Sequence, residues 1–185
     1  MLERFKRSLE EATVIKKGEY DYFVHPITDG VPRADPAVLE EVVGAMLDMG
    51  RFDCDLLLAP EALGIPLAVS LSSKLRMPYA IARKRSYGLA GEIRLDQSTG
   101  YSSGAMYIND VKAGDRVVVV DDVISTGGTL RSMIAGLKTA GVEVVDVLIA
   151  VEKGDAAARL QREAGVPVRA LVSVEVQDGR VVVLR

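Results

Sequence analysis

The sequence predicts an α/β domain with a mostly parallel central sheet flanked by helices. Four consecutive valines, Val117 to Val120, have the character of a strand covered on both faces rather than of one with a wet side. The segment after them, LRSMIAGLKTAG, places Leu130, Ile134 and Leu137 on one helical face. The same alternation of apolar run and amphipathic helix recurs along the chain, and strands alternating with helices imply parallel pairing through right-handed crossovers.

In chain order, MLERFKRSLEEA (1–12) reads as an amphipathic surface helix and PAVLEEVVGAMLDM (36–49) as a second helix. DLLLAP (55–60) is a strand, GIPLAVSLSSKL (64–75) a helix after a turn, and PYAIAR (78–83) a strand. Lys84 to Gly104 is the longest region without apolar periodicity, and strands AMYI and RVVVV follow it. EVVDVLIAVE (143–152) is a strand and DAAARLQREA (155–164) a helix, and the tail VPVRALVSVEVQDGRVVVL alternates and turns at Asp178–Gly179 like a hairpin. There is no internal repeat, linker or low-complexity segment.

With 185 residues, 49% hydrophobic and 26% charged, the chain suits one domain over 1–185 with a sizeable core. A net charge of −3 without a basic, aromatic-laced stripe argues against a nucleic-acid surface. Cys54 is the only cysteine and lies in an apolar stretch, so it reads as a buried free thiol with no disulfide or zinc role, which suits a reducing cytoplasm. The N-terminal segment carries acids throughout and lacks the long apolar region of a signal peptide or membrane span.

The chemistry is concentrated in VVVVDDVISTGGTL, residues 117–130. A strand-to-helix turn in such a sheet lies at the carboxyl end of the strands, and the helix that follows aims free N–H groups and its positive dipole end into the crevice, where a phosphate fits. Gly127 and Gly128 allow close backbone approach and positive φ, and Ser125, Thr126 and Thr129 can donate to phosphate oxygens. Asp121 and Asp122 would repel an anion, but carboxylates accept from vicinal diols and can help hold Mg2+. A sugar phosphate satisfies both halves. The plainer alternative is a helix-capping βα turn; a Walker loop is excluded because no GxxxxGK[ST] occurs.

This segment closely resembles the phosphoribosyl-pyrophosphate (PRPP) signature of type I phosphoribosyltransferases: an apolar strand, two acids, two variable residues and a [S/T/A/D]TGGT turn. The resemblance implies that fold, with a small hood over the base site from parts of 1–35 and 153–185 and a mobile lid over about 84–104. It implies that Asp121 and Asp122 contact the ribose hydroxyls, and Mg2+ indirectly, as the catalytic pair. Ser125, Thr126, Gly127, Gly128 and Thr129 would wrap the 5′-phosphate, while the variable Val123 and Ile124 would lie toward the base.

Two further segments extend the likeness. APEALGIP (59–66) is another strand-to-helix turn, which the residues alone leave open between a plain connection and an anion site. The resemblance gives Glu61, Ala62, Leu63 and Gly64 to pyrophosphate, commonly through a non-proline cis peptide, with Leu63 standing where some members have arginine. In ARKRSYG, three consecutive cations are ordinarily a solvated face, whereas the resemblance gives Arg83 and Lys84 to pyrophosphate and makes the stretch that follows the lid, with Ser98 to Ser102 its best-matched part. Closure has a chemical reason, since loss of pyrophosphate leaves a ribosyl cation-like centre that water would capture.

Lys153 ends VLIAVEK, which puts its ammonium near the crevice. Lysine has donors only, so it suits a keto oxygen and would repel the exocyclic amine of adenine. Its motif resembles the VEK or IEK of xanthine enzymes, and the strings YFVHPITDGVP, QSTGYSSG and VVVVDDVISTGGTL resemble archaeal hypoxanthine/guanine phosphoribosyltransferases most closely. That resemblance implies a homodimeric, cytoplasmic purine-salvage transferase making IMP or GMP from hypoxanthine or guanine and PRPP, with no membrane partner. The alternatives are an adenine or xanthine enzyme, or a PRPP-sensing regulator on the same fold. The chain departs from its relatives where they carry an acid near the base: Ser125 stands where many hypoxanthine-guanine enzymes have aspartate, and Gly100 where adenine enzymes have glutamate. His25, the only histidine, is either a capping residue or a weak candidate for that missing base.

Overall fold

The structure, a computed structural model, describes residues 2–18, 20–99 and 102–185. Helix α1 (Glu3–Glu10) leads into a hairpin of β1 (Thr13–Lys17) and β2 (Tyr20–Val24), then the single turn α2 (Pro26–Asp29) and helix α3 (Pro36–Met49). Asp35 starts α3 by accepting the Ala37 N–H at 2.9 Å, with Pro36 in the first turn where its missing donor costs nothing. Next come β3 (Leu56–Pro60), α4 (Gly64–Leu75) and β4 (Tyr79–Ala82), then the paired β5 (Ile93–Thr99) and β6 (Ser102–Ile108). The remainder is β7 (Arg116–Ile124), α5 (Gly128–Thr139), β8 (Glu143–Lys153), α6 (Ala156–Ala164), β9 (Val168–Gln177) and β10 (Arg180–Val183).

The central sheet has the order β10-β9-β8-β7-β3-β4, parallel throughout except for the β9–β10 hairpin. That hairpin turns at Asp178 (φ 50°) and Gly179 (φ 72°), both positive as a two-residue turn matched to strand twist requires. Successive residues of the inner strands face opposite layers. Leu57, Val118, Val120 and Leu148 pack toward α1, α3 and α4, whereas Leu58, Val117, Val119, Val147 and Ile149 pack toward α5 and α6. The valine run is therefore covered on both faces. Each fully buried Leu or Val there contributes roughly 1.5–3 kcal/mol.

Three segments differ from the sequence reading. Thr13–Lys17 and Tyr20–Val24 pair as the β1–β2 hairpin, which the sequence reading left without an element. The polar stretch 84–104 is not structureless throughout, since Ile93 to Thr99 pairs antiparallel with Ser102 to Ile108 outside the central sheet. The cause is a buried minority of side chains: Leu95, Met106 and Ile108 join the core on the α5 face, and a Cβ at Gly136 of α5 would meet Leu95 Cδ2 at 2.1 Å. The root of the expected lid is thus packed, while Gly100, expected in place of a glutamate, lies outside the described residues. Finally, β7 does not end at the acidic pair but continues to Ile124, because Asp121, Val123 and Ile124 still pair with Ile149, Val151 and Glu152 of β8.

Candidate active site

Because β3, β4, β7 and β8 run parallel, their carboxyl ends share one edge of the sheet. That edge brings together the turn after Pro60, Arg83, the turn after Ile124 and Lys153. Beyond β7, Gly127 takes φ 76° and α5 begins at Gly128, so only the first of the two glycines uses the left-handed conformation expected of both. The turn encloses a cavity of about 190 Å³ lined by Asp121 and by residues 123–130. Amide groups at the head of the twelve-residue helix border this cavity, an arrangement that suits an anion.

Asp121 and Asp122 are each 8% exposed, and the Asp122 N–H donates to Asp121 Oδ1 at 2.9 Å. Burial pushes both carboxyls upward, and the charge of Asp121 adds to the rise at Asp122. Two desolvated carboxylates with no cation paired to them among the described residues favour a partner that brings hydroxyl donors or positive charge. Among the described residues no group of three or more His, Cys, Asp or Glu gathers as a metal cage.

The neighbouring turn is fitted closely to this pair. The Glu61–Ala62 bond is cis, Leu63 follows it as the residue preceding α4, and Gly64 opens the helix. A Cβ on Gly64 would lie 2.8 Å from the Val120 carbonyl oxygen and 3.3 Å from Asp121 Oδ1, so only glycine allows the two turns to approach this closely. Arg83 Nε donates to Glu61 Oε2 at 2.5 Å, tying the end of β4 to the turn. Lys84 is exposed, and Leu63 extends toward the N-terminal segment, its Cδ1 3.5 Å from where a Gly30 Cβ would sit.

A second cavity, of about 200 Å³, is lined by Tyr20, Tyr22, Phe23, Thr28, Val123, Ser125 and Lys153. Val123 and Ser125 also line the cavity of the β7 turn, so the two spaces adjoin. Lys153 Nζ donates to the Tyr20 hydroxyl at 2.9 Å and stands 5.0, 5.0 and 4.9 Å from the ring centres of Tyr20, Tyr22 and Phe23. Ile124, expected beside the base, does not line this space; it is 1% exposed in the core cluster and borders the β7 turn instead. Sequence reasoning missed Tyr20, Tyr22, Phe23 and Thr28. Tyr20, Tyr22 and Phe23 had a signal in the aromatic cluster just ahead of His25, and Tyr22, Phe23 and Thr28 lie in YFVHPITDGVP, which carried a resemblance but no role.

His25 is 1% exposed and away from this cavity's lining. Its Nδ1 accepts the Ile27 N–H at 3.2 Å to cap α2, and its Nε2 is 3.0 Å from Ser8 Oγ, which makes it the capping residue of the two roles expected. Asp29 closes α2: its Oδ1 accepts from the Tyr22 hydroxyl at 2.5 Å, and its Oδ2 from Thr28 Oγ1 at 2.6 Å and the His25 N–H at 3.1 Å. Burial and Asp29 together push the Tyr22 hydroxyl well above its ordinary value of 10. Among the described residues no helix is long and apolar enough to cross a membrane.

Residues 46–170 match the family described as phosphoribosyl transferase domain. The chain is 49% identical over 183 residues to a hypoxanthine/guanine phosphoribosyltransferase of Methanobacterium paludis, covering 99% of this chain and 96% of that one. It is 50% identical, with the same coverage of both chains, to the enzyme of that name from Methanosalsum zhilinae. Among solved structures, adenine phosphoribosyltransferase from Thermoanaerobacter pseudethanolicus superposes with a TM-score of 0.75 at 23% identity, covering 94% of this chain and 99% of that one. The enzyme from Saccharomyces cerevisiae superposes at 0.73 and 17%, covering 91% of this chain and 98% of that one. At such identities the likeness speaks to the fold.

Proposed function

Since this chain belongs to the phosphoribosyl transferase family, we propose that it transfers the phosphoribosyl group of PRPP to hypoxanthine or guanine, releasing pyrophosphate and giving IMP or GMP in purine salvage. The observation that carries the reading is the adjoining of two cavities through Val123 and Ser125: one is headed by the amides of the β7 turn, the other holds the Lys153 ammonium. A phosphorylated sugar in the first places its reactive carbon toward a flat base in the second.

In this reading the Ser125–Thr129 turn holds the 5′-phosphate, and Asp121 and Asp122 accept from the ribose hydroxyls. The Glu61–Gly64 turn, with Arg83 and Lys84, receives pyrophosphate. Lys153 donates to the purine O6. Asp121 and Asp122, which among the described residues belong to no full protein cage, are the groups that would help hold Mg2+, and the ion would supply positive charge to offset that of pyrophosphate. The reading includes a lid closing from residues 84–104, a homodimer, and work in the cytoplasm without nucleic-acid or membrane partners; a net charge of −3 and a free Cys54 agree with it.

Pyrophosphate release measured with hypoxanthine, guanine, xanthine and adenine tests the proposal. Hypoxanthine and guanine should lead by at least an order of magnitude in kcat/KM. Adenine as the best acceptor would replace the reading with the adenine alternative, and PRPP binding without turnover on any base would turn it to the regulator.

A further inference from the structure

Transfer to a 6-oxopurine leaves a proton to be disposed of. As N9 of the neutral base bonds to the ribosyl carbon, the bond from that carbon to pyrophosphate breaks and the leaving group takes the electron pair; the proton on N7 must then go. Among the described residues that line the cavity beside the β7 turn none is a carboxylate, and Ser125 is the residue of the turn that enters it. Two hydroxyls in that lining, those of Tyr22 and Thr28, are however backed by one carboxylate, Asp29.

We infer that Tyr22 and Asp29 form a proton relay for the incoming base, in which N7–H donates to the Tyr22 hydroxyl oxygen as the Tyr22 hydroxyl proton passes to Asp29 Oδ1. The inference rests on the 6-oxopurine reading given above. Its step balances: the N7–H bond breaks, a new O–H bond forms at Tyr22, the old one breaks, and Asp29 ends protonated while Tyr22 ends neutral.

The geometry selects Tyr22. O6 and N7 lie on the same edge of a purine, so the group that meets N7 stands beside the one that meets O6. Lys153 Nζ is 5.0 Å from the Tyr22 ring centre. Tyr20 is also close, but its hydroxyl is taken by Lys153 at 2.9 Å and it is 51% exposed. The carboxylate is held in one orientation, because Thr28 Oγ1 and the His25 N–H both occupy Oδ2 and leave Oδ1 to Tyr22. The buried His25 cap fixes the backbone that supplies the second of these donors. A tyrosine held protonated serves as a conduit and not as the final base, which agrees with the upward push on its hydroxyl. The charged and titratable groups around the pair are Lys17, over the Tyr22 ring at 3.5 Å, Lys153, Tyr20 and Asp122.

The test compares Tyr22→Phe, Asp29→Asn and the unmodified enzyme in kcat and KM for hypoxanthine, with Mg2+ and PRPP saturating, across the pH range up to that in which free hypoxanthine ionises. Both variants should lose kcat on the order of 100-fold near neutrality with a much smaller change in KM. The deficit should shrink as the pH rises, because a base that has already lost its proton needs no relay. Thr28→Val, which removes one of two donors on Oδ2, should lose less than either. A kcat near that of the unmodified enzyme in Tyr22→Phe, or a loss constant with pH in both variants, overturns the relay while leaving the 6-oxopurine reading intact. An unmodified enzyme inactive on every 6-oxopurine overturns both.

Discussion

Gly64 of α4 and Val120 of β7 meet so closely that a Cβ on the glycine would stand 2.8 Å from the Val120 carbonyl oxygen. That oxygen belongs to the backbone just before Asp121, so the approach sets the distance between the turn that faces pyrophosphate in our reading and the acidic pair. Gly64→Ala must push α4 away from β7, at roughly 1–3 kcal/mol of stability, with a larger loss in affinity for PRPP than the stability change alone explains. Gly44, inside α3 with nothing within 4 Å of its would-be Cβ, is the control. Gly44→Ala should gain about 0.5–1 kcal/mol in urea unfolding and leave PRPP binding unchanged. Equal behaviour of the two alanines would remove the packing argument.

The acidic pair should separate activity from stability. Both carboxyls are buried and pushed upward, so at neutral pH their ionised forms cost the fold free energy that isosteric amides do not. The double variant Asp121→Asn/Asp122→Asn should lose a factor on the order of 100 or more in kcat/KM while its thermal midpoint holds or rises. Near-normal turnover in the folded variant would withdraw the ribose contact.

His25 predicts a pH dependence of stability. Burial lowers its pKa from 6.5 to about 4, against a smaller opposing pull from Asp29. The unfolded chain takes up a proton below pH 6.5 that the folded chain refuses, so the stabilisation is complete above 6.5 and is lost as the pH falls toward 4, by up to about 1.4 kcal/mol per pH unit. His25→Asn keeps an acceptor for the α2 cap and removes this titration. The stability difference between the two proteins, taken from urea midpoints at several pH values, should be constant above pH 6.5 and shrink below it. Parallel curves down to acid pH would mean that His25 takes up its proton as readily in the fold as in the unfolded chain.

What the sequence made legible was local. The βα turn at 121–130 and the Asp178–Gly179 hairpin each depend on neighbours a few residues apart, where spacing alone carries the geometry. The base-side cavity was half legible. Lys153 is visible as a strand-end lysine, but Tyr20, its hydrogen-bond partner, is 133 residues away in the chain, and no periodicity links them. Asp29 was hidden although its partners are near in the chain: in sequence it is one acid before a glycine, and the turn of β2 into α2, with no periodicity to mark it, brings Tyr22 and Thr28 onto it. Of the ribbon Ile93–Thr99 with Ser102–Ile108 only AMYI was read as a strand; the rest was missed because alternating Ile93, Leu95, Met106 and Ile108 are diluted by Ser, Gly, Asp and Tyr, and because it packs on α5 instead of entering the sheet.

In our reading Lys153 decides the class of base. Its ammonium is held by the Tyr20 hydroxyl at 2.9 Å and by three aromatic rings about 5 Å away, an arrangement that positions it in the base-side cavity. Lys153→Met keeps most of the stem volume and removes the charge. A 6-oxopurine then loses a charge-assisted hydrogen bond and leaves O6 unpaired in a partly dry cavity, a cost of roughly 1.5–3 kcal/mol or about 10- to 150-fold in kcat/KM. Adenine presents an amine at that position, which the ammonium repels, so adenine should be unaffected or slightly favoured by the change. Measuring kcat/KM for hypoxanthine, guanine and adenine in both proteins separates the effects. A selective loss on the two oxopurines ties Lys153 to O6, whereas an equal fall on all three would move its action to PRPP or to the packing of Tyr20 and Phe23, and the preference for oxopurines would then need another residue.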